Sequence, residues 1–274
     1  MNRIEKTFNR LRAENRTALV AYLTAGDPEP ARTVDLMHTL TAAGVDLIEL
    51  GVPFSDPMAD GPVIQRASER ALEHGMDLAG ILEIAARFRA DDGETPLVLM
   101  GYMNPFDRMG FTAFANSARD QGVDGVLVVD LPPEEGVEIN ATLRGAGLDQ
   151  IYLISPTTDD ERMRHIVECA SGFVYCVALK GVTGAEGMET ASLEHAVSYI
   201  HSQTELPVGI GFGISDADSA SRVAAISDAV IVGSAIVRII EEHGADPQAL
   251  NDALTSFIGE LRRAIDHTPV AAAV

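Results

Sequence analysis

Eight short apolar runs, separated by amphipathic stretches and undivided by any linker rich in Gly, Ser or Pro, predict an α/β chain folded as a single (β/α)8 TIM barrel. The length agrees, since 274 residues is close to the roughly 250 that such a barrel needs as one domain. Most of the runs are continuously hydrophobic rather than alternating, the pattern of parallel strands covered on both faces.

In chain order, Ile4, Phe8 and Leu11 share one face of an extra N-terminal helix within residues 1–14, which would cap the barrel floor. Strands are expected over Ala18–Thr24, Leu47–Gly51, 97–102, 126–130, 151–155, 173–178, 208–213 and 229–233. Amphipathic stretches lie between them at 30–43, 63–75, 78–90, 111–122, 159–170, 193–204 and 217–225. The domain is expected to span 1–274, with a frayed tail over about 268–274.

Composition narrows the function. Acidic residues outnumber basic ones 41 to 20, for a net charge of −21, and a field of that sign repels nucleic acids and anionic membrane surfaces. The bases are almost all arginine, with Lys6 and Lys180 the two lysines. Few lysines beside surplus carboxylates point to a halophilic chain, because concentrated salt screens the self-repulsion. Cys169 and Cys176 cannot build a disulfide framework, and no His stands at metal-ligand spacing beside them, so no metal is expected. No signal-peptide core or apolar run of membrane-spanning length is visible, and the default compartment is cytoplasmic.

Strand parity locates the chemistry. In Leu47-Ile-Glu-Leu-Gly51, Glu49 lies opposite Ile48 and Leu50 and faces the barrel interior if those two pack under helices. That puts a carboxylate near the C-terminal end of a strand, where barrel enzymes act. The following segment, residues 53–62, holds Pro53, Pro57, Gly61 and Pro62, which forbid a regular helix and fix a shaped loop. It presents Asp60 to the same mouth, and two carboxylates in different environments can divide acid and base roles. By the same parity Tyr22, Met100, Tyr102, Leu127, Val129, Leu153 and Tyr175 face inward as an apolar lining.

Glycine clusters at 181–184, 209–213 and 233–235 fall at the C-terminal ends of the last three strands. They suit phosphate, because glycine lets backbone N–H groups approach and a helix starting after Gly233 would aim its positive end there. The 209–213 cluster lacks the spacing of a dinucleotide fingerprint, and there is no Walker A motif.

These segments carry a resemblance. Glu49-Leu-Gly-Val-Pro-Phe-Ser-Asp-Pro-Met-Ala-Asp-Gly-Pro-Val-Ile-Gln65 resembles the signature of the tryptophan synthase alpha chain family. Tyr22-Leu-Thr-Ala-Gly-Asp-Pro28, Gly101-Tyr-Met-Asn-Pro105, Gly181-Val-Thr-Gly184, Gly211-Phe-Gly-Ile-Ser215 and Gly233-Ser-Ala-Ile-Val237 match in the family's order. The resemblance implies retro-aldol cleavage of indole-3-glycerol phosphate to indole and glyceraldehyde 3-phosphate, a lyase step in L-tryptophan biosynthesis. It also implies no cofactor in this chain, pyridoxal phosphate belonging to a beta-chain partner, an alpha2beta2 heterotetramer, and passage of indole to the beta subunit. Under it Glu49 is the acid/base and Asp60 binds the indole N–H. Tyr22, Met100, Leu127, Val129, Tyr175 and Phe212 line the indole pocket, and Thr183 sits on a lid over 179–190. Gly184, Gly213, Gly233 and Ser234 hold the phosphate, while Asp56 and Asn104 face the partner. Tyr22 stands where the family often has Phe, and Ala178-Leu-Lys-Gly181 departs from the family's loop.

Two rival readings stay open at the level of residues. Lys180, just beyond the sixth strand, is a candidate Schiff-base amine for an aldolase. A non-catalytic barrel that only activates a partner would keep Asp56 and Asn104 and have no need of Glu49.

Overall fold

The computed structural model describes residues 2–155, 158–177, 186–211 and 213–268, and of residues 186–192 only the backbone. The tail over 269–274 lies outside the described residues. Helix α1 (Arg3–Ala13) leads into β1 (Ala18–Thr24), a 3-10 turn at Pro30–Arg32 and α2 (Thr33–Ala42). There follow β2 (Leu47–Gly51), α3 (Pro62–Glu73), α4 (Leu78–Asp91), β3 (Leu97–Gly101), α5 (Met103–Met109) and α6 (Phe111–Asp120). Next come β4 (Gly125–Val128), α7 (Val137–Ala146), β5 (Asp149–Ile154), α8 (Asp160–Cys169) and β6 (Val174–Val177). The chain ends with α9 (Glu186–Gln203), β7 (Val208–Gly211), α10 (Ala217–Ala224), β8 (Ala229–Val232), α11 (Ser234–His243) and α12 (Pro247–Asp266). The eight strands pair in parallel and in sequence order, β8 closing on β1.

Parity divides the core as expected. Val20, Leu47, Val98, Leu127, Ile151, Phe173 and Ile231 point into the barrel, and Leu19, Ile48, Leu50, Leu99, Val126 and Val128 pack outward under the helices. Helix α1 starts where the Asn2 side chain accepts from the Glu5 N–H, and its buried Ile4, Phe8 and Leu11 close the interior cluster from below. Phe8 meets Phe173 with ring centroids 5.8 Å apart.

The floor is also clamped by polar groups in a repeating way. Just before β2, β4 and β8, the carboxylates of Asp46, Asp124 and Asp228 accept the backbone N–H of Leu19 in β1 (3.0 Å), Leu97 in β3 (2.9 Å) and Val208 in β7 (2.8 Å). Before β6, the Ser171 hydroxyl accepts from Gln150 N of β5 at 3.0 Å. Arginines then neutralise the two more buried of these three carboxylates. Arg3 and Arg89 donate to Asp124, and Arg10 and Arg262 donate to Asp46. Charged groups out of water need such partners.

The structure adds elements that hydrophobic periodicity does not pick out. Met103–Met109 and Val137–Ala146 are helical. The first is about two turns long with Pro105 inside its first turn, where proline is tolerated, and the second follows Gly136 and carries Gly145. Several strands also end one or two residues before the apolar run does, so Tyr102, Val129, Asp130 and Ser155 belong to the mouth loops.

Candidate active site

Glu49 lies in β2, in register with Tyr22 of β1 and Val98 of β3. Its side chain is fully buried, and among the described residues neither carboxylate oxygen has a hydrogen-bond partner. Burial alone pushes its pKa up to about 8, so near neutral pH it holds a proton that it can give away. An unpaired buried carboxyl is costly, and nothing in the packing of β2 requires one.

Asp60 is half-buried in the loop between β2 and α3. The Tyr102 hydroxyl, just past β3, donates to its Oδ2 at 3.1 Å and accepts the Ala59 N–H at 2.9 Å. Gln65 of α3 reaches back to donate to the Asp60 carbonyl at 2.9 Å. The loop is therefore held by side chains on both flanks. Burial raises the Asp60 pKa and the bond from Tyr102 pulls it back down, with a net rise. Parity makes Tyr102 a lining residue; its hydrogen bond to Asp60 is one that sequence reasoning missed. No spacing rule predicts it, because it joins residues 42 apart.

The phenols of Tyr22 and Tyr175 are buried, and both are raised first by desolvation and then by the charges of Asp60 and Glu49. The two carboxylates thus act on the same interior space. Room for these rings comes from missing side chains: a Cβ on Gly51 would collide with the Tyr22 hydroxyl, and one on Gly211 with that of Tyr175. Tyr22 is held further by a hydroxyl contact with Thr24 at 3.3 Å. Met100, Val129 and Leu153 complete the lining and, like Tyr175 as a whole residue, are partly buried, whereas Leu127 is fully buried in the same cluster.

On the β8 side of the mouth, two strands round from β2, α11 begins at Ser234 with Gly233 as its N-cap. No side chain among the described residues caps that end, and Ser234 is exposed beside it. Gly213 adopts φ of +72°, a backbone suited to glycine, on the loop after β7. Phe212, Lys180, Thr183, Gly184 and the lid residues 179–185 lie outside the described residues. Asp56 is exposed in the loop between β2 and α3, and Asn104 is exposed in the first turn of α5. Asp56 borders an open groove of about 440 Å³ together with Phe54, Pro57, Met58, Gln65 and Glu69. Among the described residues no group of three or more His, Cys, Asp or Glu side chains could hold a metal.

A sequence model of the tryptophan synthase alpha chain matches residues 8–266. This chain belongs to the tryptophan synthase alpha chain family. It is 54% identical over 266 residues to the tryptophan synthase alpha chain of Paraburkholderia phymatum, covering 97% of each chain. To that of Thioalkalivibrio sulfidiphilus it is 53% identical, covering 97% of this chain and all of the other. Among solved structures, tryptophan synthase subunit alpha from Legionella pneumophila superposes with a TM-score of 0.90 at 45% identity, over 97% of this chain and 99% of the other. A chain of tryptophan synthase from M. tuberculosis, in its aminoacrylate-bound form, gives 0.86 at 33% identity, over 97% and 100%. The alpha chain is the lyase subunit that cleaves indole-3-glycerol phosphate in tryptophan biosynthesis, and it has no cofactor, since pyridoxal phosphate resides in the beta subunit.

Proposed function

We propose that Glu49 and Asp60 are the catalytic pair of this lyase, with the tyrosine-lined interior as the indole pocket and the start of α11 as the phosphate end. The observation that carries this reading is the Glu49 carboxyl, fully buried and without a hydrogen-bond partner among the described residues. Holding a proton near neutral pH, Glu49 gives it to indole C3, and the ring becomes an indolenine whose nitrogen carries positive charge. The Asp60 carboxylate, oriented by Tyr102, accepts the N–H hydrogen bond and stabilises that charge. Glu49, now ionised, takes the proton from the glycerol hydroxyl on the carbon attached to the ring. That C–O becomes a carbonyl, the C–C bond breaks, and its electron pair returns to the indole ring. Glyceraldehyde 3-phosphate and indole leave, and Glu49 is protonated again.

Tyr22, Met100, Leu127, Val129, Tyr175 and Phe212 would surround the indole, with Thr183 on a loop that excludes water. Backbone N–H groups of Gly184, Gly213 and Gly233, with the Ser234 hydroxyl, would hold the phosphate by the helix dipole rather than by lysine. Asp56 and Asn104 would face the beta chain in an alpha2beta2 assembly that passes indole onward. The chain is read as one domain working in a salt-rich cytoplasm, its 41 carboxylates mostly on the helices' outer faces.

Indole release from indole-3-glycerol phosphate, measured with and without a beta chain from dilute to molar salt, tests this reading. Release that rises with the beta chain and with salt is expected, and no indole under any condition would overturn it. Loss of cleavage in Glu49→Gln with Lys180→Ala still active separates it from the Schiff-base aldolase.

A further inference from the structure

Two helices start at the two ends of the site. Helix α3 begins directly after Asp60, and α11 begins at Ser234. Their contact is partly apolar, through Val63, Ile64 and Ala67 of α3, Val237 of α11 and the Tyr22 ring between them. It is also locked by charge two turns along. Arg66 donates to both Glu241 oxygens, each at 2.7 Å, and Arg70 donates to Glu241 Oε1 at 2.9 Å. With its other nitrogens Arg70 grips Asp27 in the loop after β1, at 2.7 and 2.9 Å. The Asp27 side chain is fully buried, and Arg70 and Glu241 are each only about a quarter exposed. Bidentate guanidinium–carboxylate pairs fix orientation as well as distance, which a single exposed pair does not. None of these four side chains reaches the barrel interior where Glu49 lies, so the reaction chemistry leaves them unexplained.

We infer that Arg66, Arg70, Asp27 and Glu241 form a brace that sets the span between the indole end and the phosphate end of the site, with Glu241 as its central positioning residue. The inference rests on the placement of indole at Asp60 and phosphate at Ser234 given above. Glu241 is the member that joins α11 to α3, and Arg70 carries the connection to the loop after β1. If Glu241 is lost, the two helix starts are tied only by apolar packing, which allows small sliding. Each half-site then keeps its own local geometry. A ligand that must touch both ends at once loses affinity, because the fixed distance between them is what rewards simultaneous contact.

The test compares one spanning ligand with its two halves on the intact chain. The probes are 3-(indol-3-yl)propyl phosphate, indole and glycerol 3-phosphate. In Glu241→Gln the spanning ligand is expected to bind about tenfold more weakly and KM for substrate to rise in step. Indole and glycerol 3-phosphate should each change less than about twofold, with kcat at saturation altered less than KM. Arg66→Gln, which leaves Arg70 on Glu241, should show a smaller effect, and Glu241→Asp should restore most of the spanning affinity. Equal weakening of all three probes, or no change in any of them, would overturn the brace. In the parent chain, Asp60→Asn should weaken indole alone and Ser234→Ala glycerol 3-phosphate alone. If neither does, the site assignment itself fails and the brace fails with it.

Discussion

The two ends of this barrel treat buried carboxylates in opposite ways. At the floor, Asp124 accepts one backbone N–H and two arginines, and Asp46 is served likewise. At the mouth, Glu49 is more deeply buried than either and accepts nothing among the described residues. The same residue class therefore holds strands together at one end and is left unsatisfied at the other. The difference also sorts what each substitution should do: floor changes cost stability and leave the chemistry alone, whereas mouth changes cost activity and do not cost stability.

The largest expected effect breaks the mouth. Glu49→Gln keeps the shape and removes the proton donor, and indole release should fall by about 10³-fold, within the range for loss of a general acid–base group. The same variant should be more stable than the parent at high pH. The parent's buried carboxyl titrates near 8 and an unfolded Glu near 4.5, so between those values the unfolded chain ionises while the folded one stays protonated. Parent stability then falls by about 1.4 kcal/mol per pH unit across that window and levels off above it, and the variant lacks this slope. Urea denaturation at pH 5, 7 and 9 measures it; parallel curves would mean that Glu49 is satisfied after all.

Next in size, Asp124→Ala attacks the floor. It leaves the Leu97 N–H unpaired and takes from Arg3 and Arg89 the carboxylate they share, and a loss of about 3 kcal/mol is expected with kcat unchanged in the folded fraction. Denaturation midpoints and kcat, measured on one preparation, check both halves of that statement. A fall in kcat matching the fall in stability would erase the contrast between the ends.

Most of the barrel was legible in the sequence because its strands are continuous apolar runs, and parity alone put Glu49, Met100, Leu127 and Tyr175 inside. The floor helix was legible from Ile4, Phe8 and Leu11. What stayed hidden was contact between distant residues: Tyr102 with Asp60, Arg70 with Asp27, and the floor carboxylates with strand N–H groups. Periodicity reports which face a residue occupies and carries no information on which partner waits there. The short helix over Met103–Met109 was illegible for another reason, since about two turns are too brief to show a period.

Two finer changes probe how tightly the mouth is shaped. Gly51→Ala drives a methyl into the Tyr22 hydroxyl, and displacement of that ring should lower kcat/KM by about tenfold to a hundredfold. An unaltered kcat/KM would show that Tyr22 does not touch substrate. The smallest effect is expected for Tyr102→Phe. Without its donor the Asp60 pKa rises, so the acidic limb of the kcat/KM–pH profile should move to higher pH with a loss of less than about tenfold at the optimum. A profile that keeps its acidic limb would remove Tyr102 from the description of the site.

The floor clamps couple β1 to β2, β3 to β4, β5 to β6 and β7 to β8. The ring is thus modular, and its module is two strands wide. A single strand with its helix, the unit by which such barrels are ordinarily counted, is only half of a module here. Seams that cut no clamp run before the odd-numbered strands. The closure of the ring, where β8 pairs with β1, is one of them.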